Sequence, residues 1–505
     1  MTDSSASYRR ILKSSAIIGS ASVVNIGLGM ARTKALAVLL GPAGVGLASL
    51  YIGLLTAATT VASLGVGTVG TRHLAEALAK EDGLLLAKVR RAMLWGTFLL
   101  AVIGASIVWL LRDVLALQVF GAPAQADNVG WLAIGVALSV LAASQGALIQ
   151  GLQRIGDIAR ITVLGGVLNT VMGLTLLWLW GSAGLIGFVL MGPLATYLLG
   201  CVYVSRLPTP RPEKIFFRDL WQQWRMQISL GAVFMAASLV GSLVQLWIRI
   251  SVGHQLGAQS LGHYQAAWMI SMQYIGFVLG AMAADYYPRL SSVMTDHQAA
   301  SNLVNQQTEI ALLLATPVFI SMMGLAPWVI QLLYSAEFSP AVEVLRWQIL
   351  GDVLKVASWP LGFVLLAAGD GKMFFWTEVF VLSVMGLMIS LLSTSFGLRI
   401  TGVAFVAAYV CYLPLVYHLA KHRIGFKWTA SISRLFAASF AACLCVGALA
   451  SVTGWAAIPA VALALGFAVH AVLRIITMSQ TETNPGKVVK ALRHLVNKLK
   501  HYRHD

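Results

Sequence analysis

Long apolar runs separated by short polar segments are the dominant pattern of this sequence. A run of about 20 apolar residues is long enough to cross a bilayer as an α-helix. The pattern therefore predicts an all-α polytopic membrane protein with about 14 transmembrane helices. The predicted spans are 14–40, 43–71, 92–111, 129–151, 158–180, 183–204, 226–250, 260–284, 306–333, 345–368, 373–396, 400–420, 432–452 and 455–476.

The composition agrees with a membrane protein. Hydrophobic residues make up 58% of the 505 residues and charged residues only 11%, whereas soluble domains carry about 25% charged residues. The net charge of +16 would favour a nucleic acid as partner only if it formed a basic face on a soluble domain. Because the cations lie in short segments between apolar runs, no nucleic-acid partner is predicted.

Lys and Arg are distributed unevenly between the two predicted sides of the membrane. With a cytoplasmic N-terminus, 28 of the 35 Lys and Arg residues lie on the cytoplasmic side. Arg112, Arg249, Arg346 and Arg399 lie on the opposite side or at the span ends facing it. Since basic residues accumulate on the cytoplasmic side of membrane proteins, both termini are predicted to be cytoplasmic.

The two halves of the chain share a short motif. Leu-Gly followed by a second glycine five residues later occurs at Gly41 and again at Gly257, an offset of 216 residues. Arg72 follows Gly41 by 31 residues, and Arg289 follows Gly257 by 32. Spans 1–6 and 7–12 therefore read as parallel repeats of one six-helix unit. Such repeats are typical of transporters, with the substrate site between the copies.

This repeat predicts the domain organisation. Two six-helix lobes are joined by a cytoplasmic amphipathic linker and followed by an extra helix pair and a basic amphipathic cytoplasmic tail. The predicted boundaries are 1–205 and 226–425 for the lobes, 206–225 for the linker, 426–477 for helices 13 and 14, and 478–505 for the tail.

Four cations within the predicted spans are the first candidates for a binding site. They are Arg32, Lys34, Arg249 and Lys355. A charge near the bilayer centre costs about 2.5–3.5 kcal/mol, so it must face protein, water or an anion. The cations could converge on a central cavity and bind an anionic substrate. Alternatively, they snorkel to the interface or lock helices together.

Polar and acidic residues in the spans give further candidates. Amides that could bind a sugar, but more often join helices, are Asn25, Gln145, Asn169 and Gln245. Candidate ion-coupling or gate residues are Asp352, Glu378, Glu309, Asp285, Arg289 and Arg72. Asp352 lies one turn before Lys355, within reach of an ion pair, and Asp285 with Arg289 forms either a gate or a local pair.

Motifs for catalysis are not found in the sequence. The run from Gly65 to Gly70 fits GxGxxG but lies inside an apolar span, without a preceding strand, so dinucleotide binding is excluded. Neither a P-loop nor a metal-binding motif occurs. We therefore predict a transporter without catalytic residues, metal or cofactor, driven by a proton or sodium gradient or by the membrane potential.

Three short segments resemble a known family. They are Leu-Gly-Pro-Ala-Gly-Val-Gly at 40–46, Thr-Arg at 71–72 and Tyr-Tyr-Pro-Arg-Leu at 286–290. With them, residues 1 to about 425 resemble the polysaccharide exporters of the multidrug/oligosaccharidyl-lipid/polysaccharide (MOP) superfamily, and most closely the Wzx-type O-antigen and lipid III flippases. Many relatives stop after twelve spans, so the extra helix pair departs from the simplest pattern.

The resemblance implies an inner-membrane flippase for an undecaprenyl-diphosphate-linked oligosaccharide, such as an O-antigen, enterobacterial-common-antigen-like or exopolysaccharide repeat unit. Two lobes would rock between inward-open and outward-open states around a basic cavity that holds the diphosphate. Expected partners are membrane lipids, a polysaccharide polymerase and a chain-length regulator. The alternatives are a drug/cation antiporter of the same fold, which would favour carboxylates in the cavity, and a membrane-embedded glycan polymerase or ligase, which would need larger outer loops.

Overall fold

The protein is helical throughout the part of the chain that the structure describes. This computed structural model describes residues 3–80, 83–207, 217–452 and 455–480, and no β-strand occurs in these ranges. Residues 208–216 of the predicted linker and 481–505 of the predicted tail lie outside the described residues. The predicted all-α class is confirmed.

The helices follow the apolar runs closely, because each run supplies the length and the side chains that a membrane helix needs. The helices are α1 (Asp3–Ser63), α2 (Val66–Ala79), α3 (Gly83–Leu110), α4 (Arg112–Leu115), α5 (Ala126–Gly151), α6 (Ile155–Trp180), α7 (Leu185–Ser205), α8 (Phe217–Val293), α9 (His297–Leu333), α10 (Ala341–Ala367), α11 (Gly371–Phe396), α12 (Ile400–Ile424), α13 (Ala430–Val452) and α14 (Ala457–Gln480).

Several of these segments are longer than one membrane crossing. Within the described ranges, nine helical segments are long and apolar enough to cross a membrane. Three of them, Gly19–Ser63, Ile155–Ser205 and Gly371–Ile424, contain 45, 51 and 54 residues and each covers two predicted spans. The 77 residues of α8 also cover two predicted spans. The chain is a multi-pass membrane protein, and the count of fourteen spans stays a prediction.

The second predicted span ends earlier than the apolar pattern indicates. Leu64 and Gly65 adopt positive φ angles of 44° and 66°, and they separate α1 from α2. Gly65 takes this left-handed conformation without steric cost, whereas Leu64 does so only as a rare exception. The residues from Val66 to Thr71, assigned to span 2 from the sequence, belong instead to α2, which packs against α3 and α5.

The two repeated glycines break their helices in the same way. Gly41 inside α1 has φ 63° and ψ −168°, and Gly257 inside α8 has φ 83° and ψ 165°. Glycine lacks the Cβ atom that disfavours this region for other residues. Each long helix is therefore two arms joined at a glycine, and the sequence motif marks an equivalent backbone break in both halves.

The second glycine of each motif makes a reciprocal contact. A Cβ atom added to Gly46 would overlap the carbonyl oxygen of Ala258, and one added to Gly262 would overlap the carbonyl oxygen of Pro42. Gly46 and Gly262 are 216 residues apart, as are Pro42 and Ala258. The same surface from each copy of the motif thus meets the other, as in an isologous interface.

The chain divides into two compact units. Unit 1 comprises Met1–Gln265 with Leu333–Phe338 and Ile389–Ser395, and in it α1 packs on α6, α3 on α5, and α7 on both α5 and α6. Unit 2 comprises Ala266–Leu332, Ser339–Met388 and Phe396–Asp505, and in it α10 packs on α12 and α13. The lobe boundaries proposed from the repeat stay a prediction.

The glycine contact gives a stability prediction. We expect Gly46→Ala and Gly262→Ala each to destabilise the protein by about 1–3 kcal/mol, because the added methyl group must displace backbone rather than a flexible side chain. The measurement is the midpoint of thermal unfolding of the purified protein in detergent.

Gly276→Ala in α8 is the matched control, since a Cβ atom there meets nothing within 4 Å. It should leave the midpoint unchanged or raise it slightly, because alanine favours the helix. Equal midpoints for the control and the two test variants would contradict a close contact at Gly46 and Gly262.

Candidate functional site: buried charges in the two units

Unit 2 contains a buried carboxylate with hydroxyl donors. Asp352 on α10 has 0% of its surface exposed. Its Oδ2 atom accepts a hydrogen bond of 2.7 Å from Ser271 Oγ and another from the Tyr274 hydroxyl, both on α8. Its Oδ1 atom has no hydrogen-bond partner among the described residues. A carboxylate in this state still has an acceptor oxygen for a proton or a small cation.

Lys355 lies one turn further along α10, where it faces aromatic rings. Its Nζ atom lies 5.9 Å from the ring centroid of Phe405 and 5.8 Å from that of Tyr409, and 3.5 Å from Met272 Sδ. The face of an aromatic ring attracts a cation and partly replaces its lost hydration. Lys355 is thus held by ring contacts rather than by the direct ion pair with Asp352 that the sequence spacing suggested.

Glu378 on α11 joins the same group of residues. The Tyr412 hydroxyl donates a hydrogen bond of 2.7 Å to Glu378 Oε1. The rings of Tyr412 and Tyr409 lie 5.7 Å apart, and those of Tyr409 and Phe405 lie 5.0 Å apart. The structure therefore brings three of the predicted residues into one region of unit 2.

We call this group the acid–base cluster, defined by Asp352, Lys355, Glu378, Tyr274 and Tyr412. When all three groups are ionised, two carboxylates and one amine carry a formal charge of −1, which one bound proton or monovalent cation would neutralise. No group of three or more His, Cys, Asp or Glu side chains that could hold a metal ion occurs in the described part of the chain. The chemistry that the cluster offers is proton or monovalent-cation exchange.

Unit 1 contains two arginines of a different kind. The Arg32 guanidinium lies 5.9 Å from the centroid of the Phe188 ring on α7. Arg249 on α8 lies beside Gly53 on α1, so close that a Cβ atom there would be 2.8 Å from its Nη1. Both arginines are partly buried, and neither has a carboxylate partner within the described residues.

Several other arginines of the described residues form ion pairs with carboxylates. Salt bridges join the guanidinium groups of seven arginines to carboxylates: Arg72, Arg154, Arg160, Arg289, Arg399, Arg423 and Arg474. Arg32 and Arg249 differ from this group because no carboxylate of the described residues pairs with them. An anion beside either guanidinium would meet a charge that no carboxylate of the described residues neutralises.

Lys34 has a packing contact. Its Nζ donates a hydrogen bond to the carbonyl oxygen of Tyr334. His263 on α8 donates from Nε2 to the carbonyl oxygen of Glu337 over 3.0 Å. Both bonds hold the short segment Leu333–Phe338 in unit 1, a contact between residues 300 and 74 positions apart that the sequence pattern did not indicate.

The four predicted amides lie in unit 1 between helices. Gln145 on α5 donates from Nε2 to Cys201 Sγ on α7 over 3.1 Å, and Asn169 on α6 packs beside Gly192 of α7. Asn25 is exposed and lies against Gly166 of α6. The Oε1 atom of Gln245 is buried and makes no hydrogen bond to the residues that the structure describes.

The remaining predicted residues form ion pairs. Arg72 pairs with Glu76 at 2.8 Å, and this hydrogen bond lowers the pKa of Glu76. Arg289 pairs with Asp285 at 3.0 Å, also one helical turn away and exposed. Exposed pairs of this kind contribute little to stability, because solvent screens the two charges. Glu309 on α9 pairs with Arg474 on α14 at 2.8 Å.

Comparison with protein families identifies the chain. A family model described as "Polysaccharide biosynthesis protein" matches residues 35–343, more than half of the 505 residues. The chain belongs to this family. A lipid III flippase of Escherichia coli (strain K12) is similar to this family member at 24% identity over 416 residues, which cover 80% of the chain and 97% of the relative.

Two solved structures show that this family member has the MOP fold. An inward-facing multidrug resistance transporter of the MATE family, within the MOP superfamily, matches with a TM-score of 0.66 at 17% identity, covering 82% of this chain and 99% of that one. The lipid II flippase MurJ, in an inward closed conformation, matches with a TM-score of 0.66 at 10% identity, covering 90% and 97%. Both likenesses show that the chain shares the fold of these transporters.

The acid–base cluster gives a second stability prediction. We expect Tyr274→Phe to lower the free energy of unfolding by about 1.5–3 kcal/mol, because the buried Asp352 carboxylate loses a donor. In an Asp352→Asn background the effect of Tyr274→Phe should be much smaller. A double-mutant cycle by thermal unfolding measures this coupling.

Tyr409→Phe is the matched control. Its hydroxyl makes no hydrogen bond within the described chain, while its ring packs in the same aromatic group. If Tyr274→Phe cost no more than Tyr409→Phe, the bond to Asp352 would contribute nothing to stability.

Proposed function

We propose that this chain is a flippase that moves an undecaprenyl-diphosphate-linked oligosaccharide from the cytoplasmic to the periplasmic leaflet of the bacterial inner membrane. Membership of the polysaccharide biosynthesis protein family supports transport of a lipid-linked oligosaccharide. The similarity to a lipid III flippase across 97% of that relative supports the same class of substrate. The observation that carries the proposal is the pair Arg32 and Arg249, which lie in the spans of unit 1 without a carboxylate partner among the described residues.

A diphosphate suits these two side chains for a physical reason. A guanidinium presents several N–H donors in a plane and binds phosphate oxygens with two parallel hydrogen bonds. The Phe188 ring beside Arg32 attracts its charge but accepts no ordinary hydrogen bond. The N–H groups of Arg32 can therefore donate to a phosphate. Because Gly53 has no side chain, it leaves the space that the Arg249 guanidinium occupies. Since the substrate brings two or more negative charges, binding would offset the cost of cations in the membrane.

Transport also needs a source of energy. We assign the coupling ion, a proton or a sodium ion, to the acid–base cluster of unit 2, where Asp352 Oδ1 has no protein partner among the described residues. Exchange of one cation there would favour one conformation of the transporter over another, which is the requirement for alternating access. The sequence-based orientation, with both termini cytoplasmic, places substrate loading on the side where lipid-linked precursors are made.

A drug/cation antiporter is the competing function of the same fold. The MATE-family neighbour supports the fold alone, because its identity to this chain is only 17%. A cationic drug would meet Arg32 and Arg249, and like charges in a low-dielectric site repel it. The charges of unit 1 thus favour an anionic substrate.

Arg32→Ala and Arg249→Ala should each abolish or strongly reduce display of surface polysaccharide. The host is a strain whose own flippase gene is deleted and whose surface polysaccharide depends on this chain. Loss of one bidentate phosphate contact costs about 1.5–3 kcal/mol, a tenfold to hundredfold decrease in affinity. Arg32→Lys should restore part of the activity because it keeps the charge and loses the planar fork.

Arg399→Ala, which removes an exposed arginine paired with Glu343, serves as the control and should keep full display. Membrane levels of each variant are compared by immunoblot. Normal display by Arg32→Ala at normal protein level would refute the assignment. Resistance to cationic drugs conferred by the wild-type chain would instead favour the antiporter.

Asp352→Asn should uncouple transport from the ion gradient. In proteoliposomes with a fluorescent polyprenyl-diphosphate glycan, wild-type flipping should accelerate several-fold under an imposed proton or sodium gradient. The Asp352→Asn variant should flip at the same rate with and without that gradient, because the amide cannot exchange a cation. A variant that still responds fully to both gradients would remove Asp352 from the coupling role.

A further inference from the structure

A cavity of about 630 Å³ lies in unit 2 between α9, α13 and α14. Its polar lining comes from Glu309, Ser431, Arg434, His470 and Arg474, and the rest of the lining is apolar. The family model ends at residue 343, before α13 and α14 begin. The α13 and α14 parts of the lining therefore lie outside the matched family region.

The polar part of the cavity has a layered arrangement. Arg474 Nε donates to Glu309 Oε1 over 2.8 Å, and Arg474 Nη2 lies 3.5 Å from Ser431 Oγ. The Glu309 side chain is 10% exposed and that of Arg474 is 42% exposed. Glu309 thus lies beneath Arg474, neutralises one charge and holds the guanidinium in place on the open side.

Arg434 supplies the excess positive charge. It is exposed, and its Nε donates to the backbone oxygen of Ala430 over 3.2 Å. With Arg434, Arg474 and Glu309, the formal charge of the lining is +1 when His470 is neutral. The lining therefore favours a singly or doubly charged anion.

The apolar part of the cavity extends along the helices. Leu313 on α9, Leu435 on α13, and Leu463 and Phe467 on α14 line it. Side chains elsewhere on α13 and α14 are apolar and exposed, Leu444 and Leu465 among them, as expected for helices in contact with lipid tails. A ligand that fills this cavity needs a charged group and an attached apolar chain.

The position of the charges along the helices matches the level of lipid headgroups. Arg434 lies near the N-terminal end of α13 and Arg474 near the C-terminal end of α14, so both are at the same end of this antiparallel pair. Basic pockets between transmembrane helices at the cytoplasmic surface bind acidic headgroups. The predicted orientation puts this end on the cytoplasmic side.

We propose that the cavity binds one anionic phospholipid of the surrounding bilayer, with its phosphate between Arg434 and Arg474 and one acyl chain along Leu435 and Phe467. Each guanidinium donates charge-assisted hydrogen bonds to the phosphate oxygens. His470 at the rim adds a further donor. The bound lipid joins α13 and α14 to α9 and is distinct from the substrate proposed for the arginines of unit 1.

Native mass spectrometry of the full-length protein tests the proposal. The protein is reconstituted with phosphatidylglycerol or with phosphatidylcholine of the same acyl chains, and the retained lipid is counted. We expect wild-type protein to retain one phosphatidylglycerol at least about fivefold more strongly than phosphatidylcholine, and Arg434→Gln to reduce this retention about fivefold. His470→Gln should reduce it less.

Lys372→Gln is the matched control, since it removes one exposed positive charge outside the cavity. Retention should then equal that of wild type, and all variants should elute as a single folded species in size-exclusion chromatography. Equal retention of the two lipids, or unchanged retention by Arg434→Gln, would overturn the proposal. Displacement of phosphatidylglycerol by inorganic phosphate at the same concentration would also overturn it, because the occupant would then be a free anion.

Discussion

The close crossing of α1 and α8 in unit 1 is the constraint on which the candidate site depends. Two glycines break the helices at Gly41 and Gly257, and two more bring their backbones together at Gly46 and Gly262. Further along α1, Gly53 leaves the space that the Arg249 side chain occupies. The helices run past each other with small residues in contact, as membrane helices do when backbones approach closely. A larger residue at these positions would separate the helices and move Arg249.

Each buried charge needs a compensating group, and the structure supplies a different kind of group for each. A charge within the membrane is costly unless protein or ligand compensates it. Hydroxyl groups compensate Asp352, aromatic rings face Lys355, and Arg474 neutralises Glu309. For Arg32 the only compensation that the described residues provide is the Phe188 ring. The residues left with the least compensation are thus those for which an anionic substrate supplies the most stabilisation, and this is the physical support for the proposed flippase.

The sequence patterns predicted the helices well, and the repeated glycine motif marked the positions at which two long helices break. Both features depend on local properties of the chain. Apolar length determines where a membrane helix forms, and the equivalent breaks at Gly41 and Gly257 follow from a residue type that tolerates positive φ. The partners of the charges could not be predicted in this way. Glu309 and Arg474 are 165 positions apart, and Lys34 reaches a carbonyl oxygen 300 positions away. Such pairs depend on tertiary packing. Since every residue has a backbone carbonyl oxygen, the sequence does not indicate which one accepts a hydrogen bond. The local spacing of Asp352 and Lys355 places them one turn apart, but it does not indicate the hydroxyl donor on α8 and the aromatic ring on α12 that contact them.

The fold by itself does not select the substrate. A multidrug exporter and a lipid II flippase match this chain with the same TM-score of 0.66. A scaffold shared by such different transporters leaves specificity to the side chains within it. In the described part of unit 1, Arg32 and Arg249 have no carboxylate partner, whereas Asp352 and Glu378 of unit 2 accept hydrogen bonds from Tyr274 and Tyr412. Cations repel a cationic drug and attract a diphosphate. The location of the two kinds of charge in different units is the physical argument for the proposal that one unit binds the anionic substrate and the other binds the coupling ion.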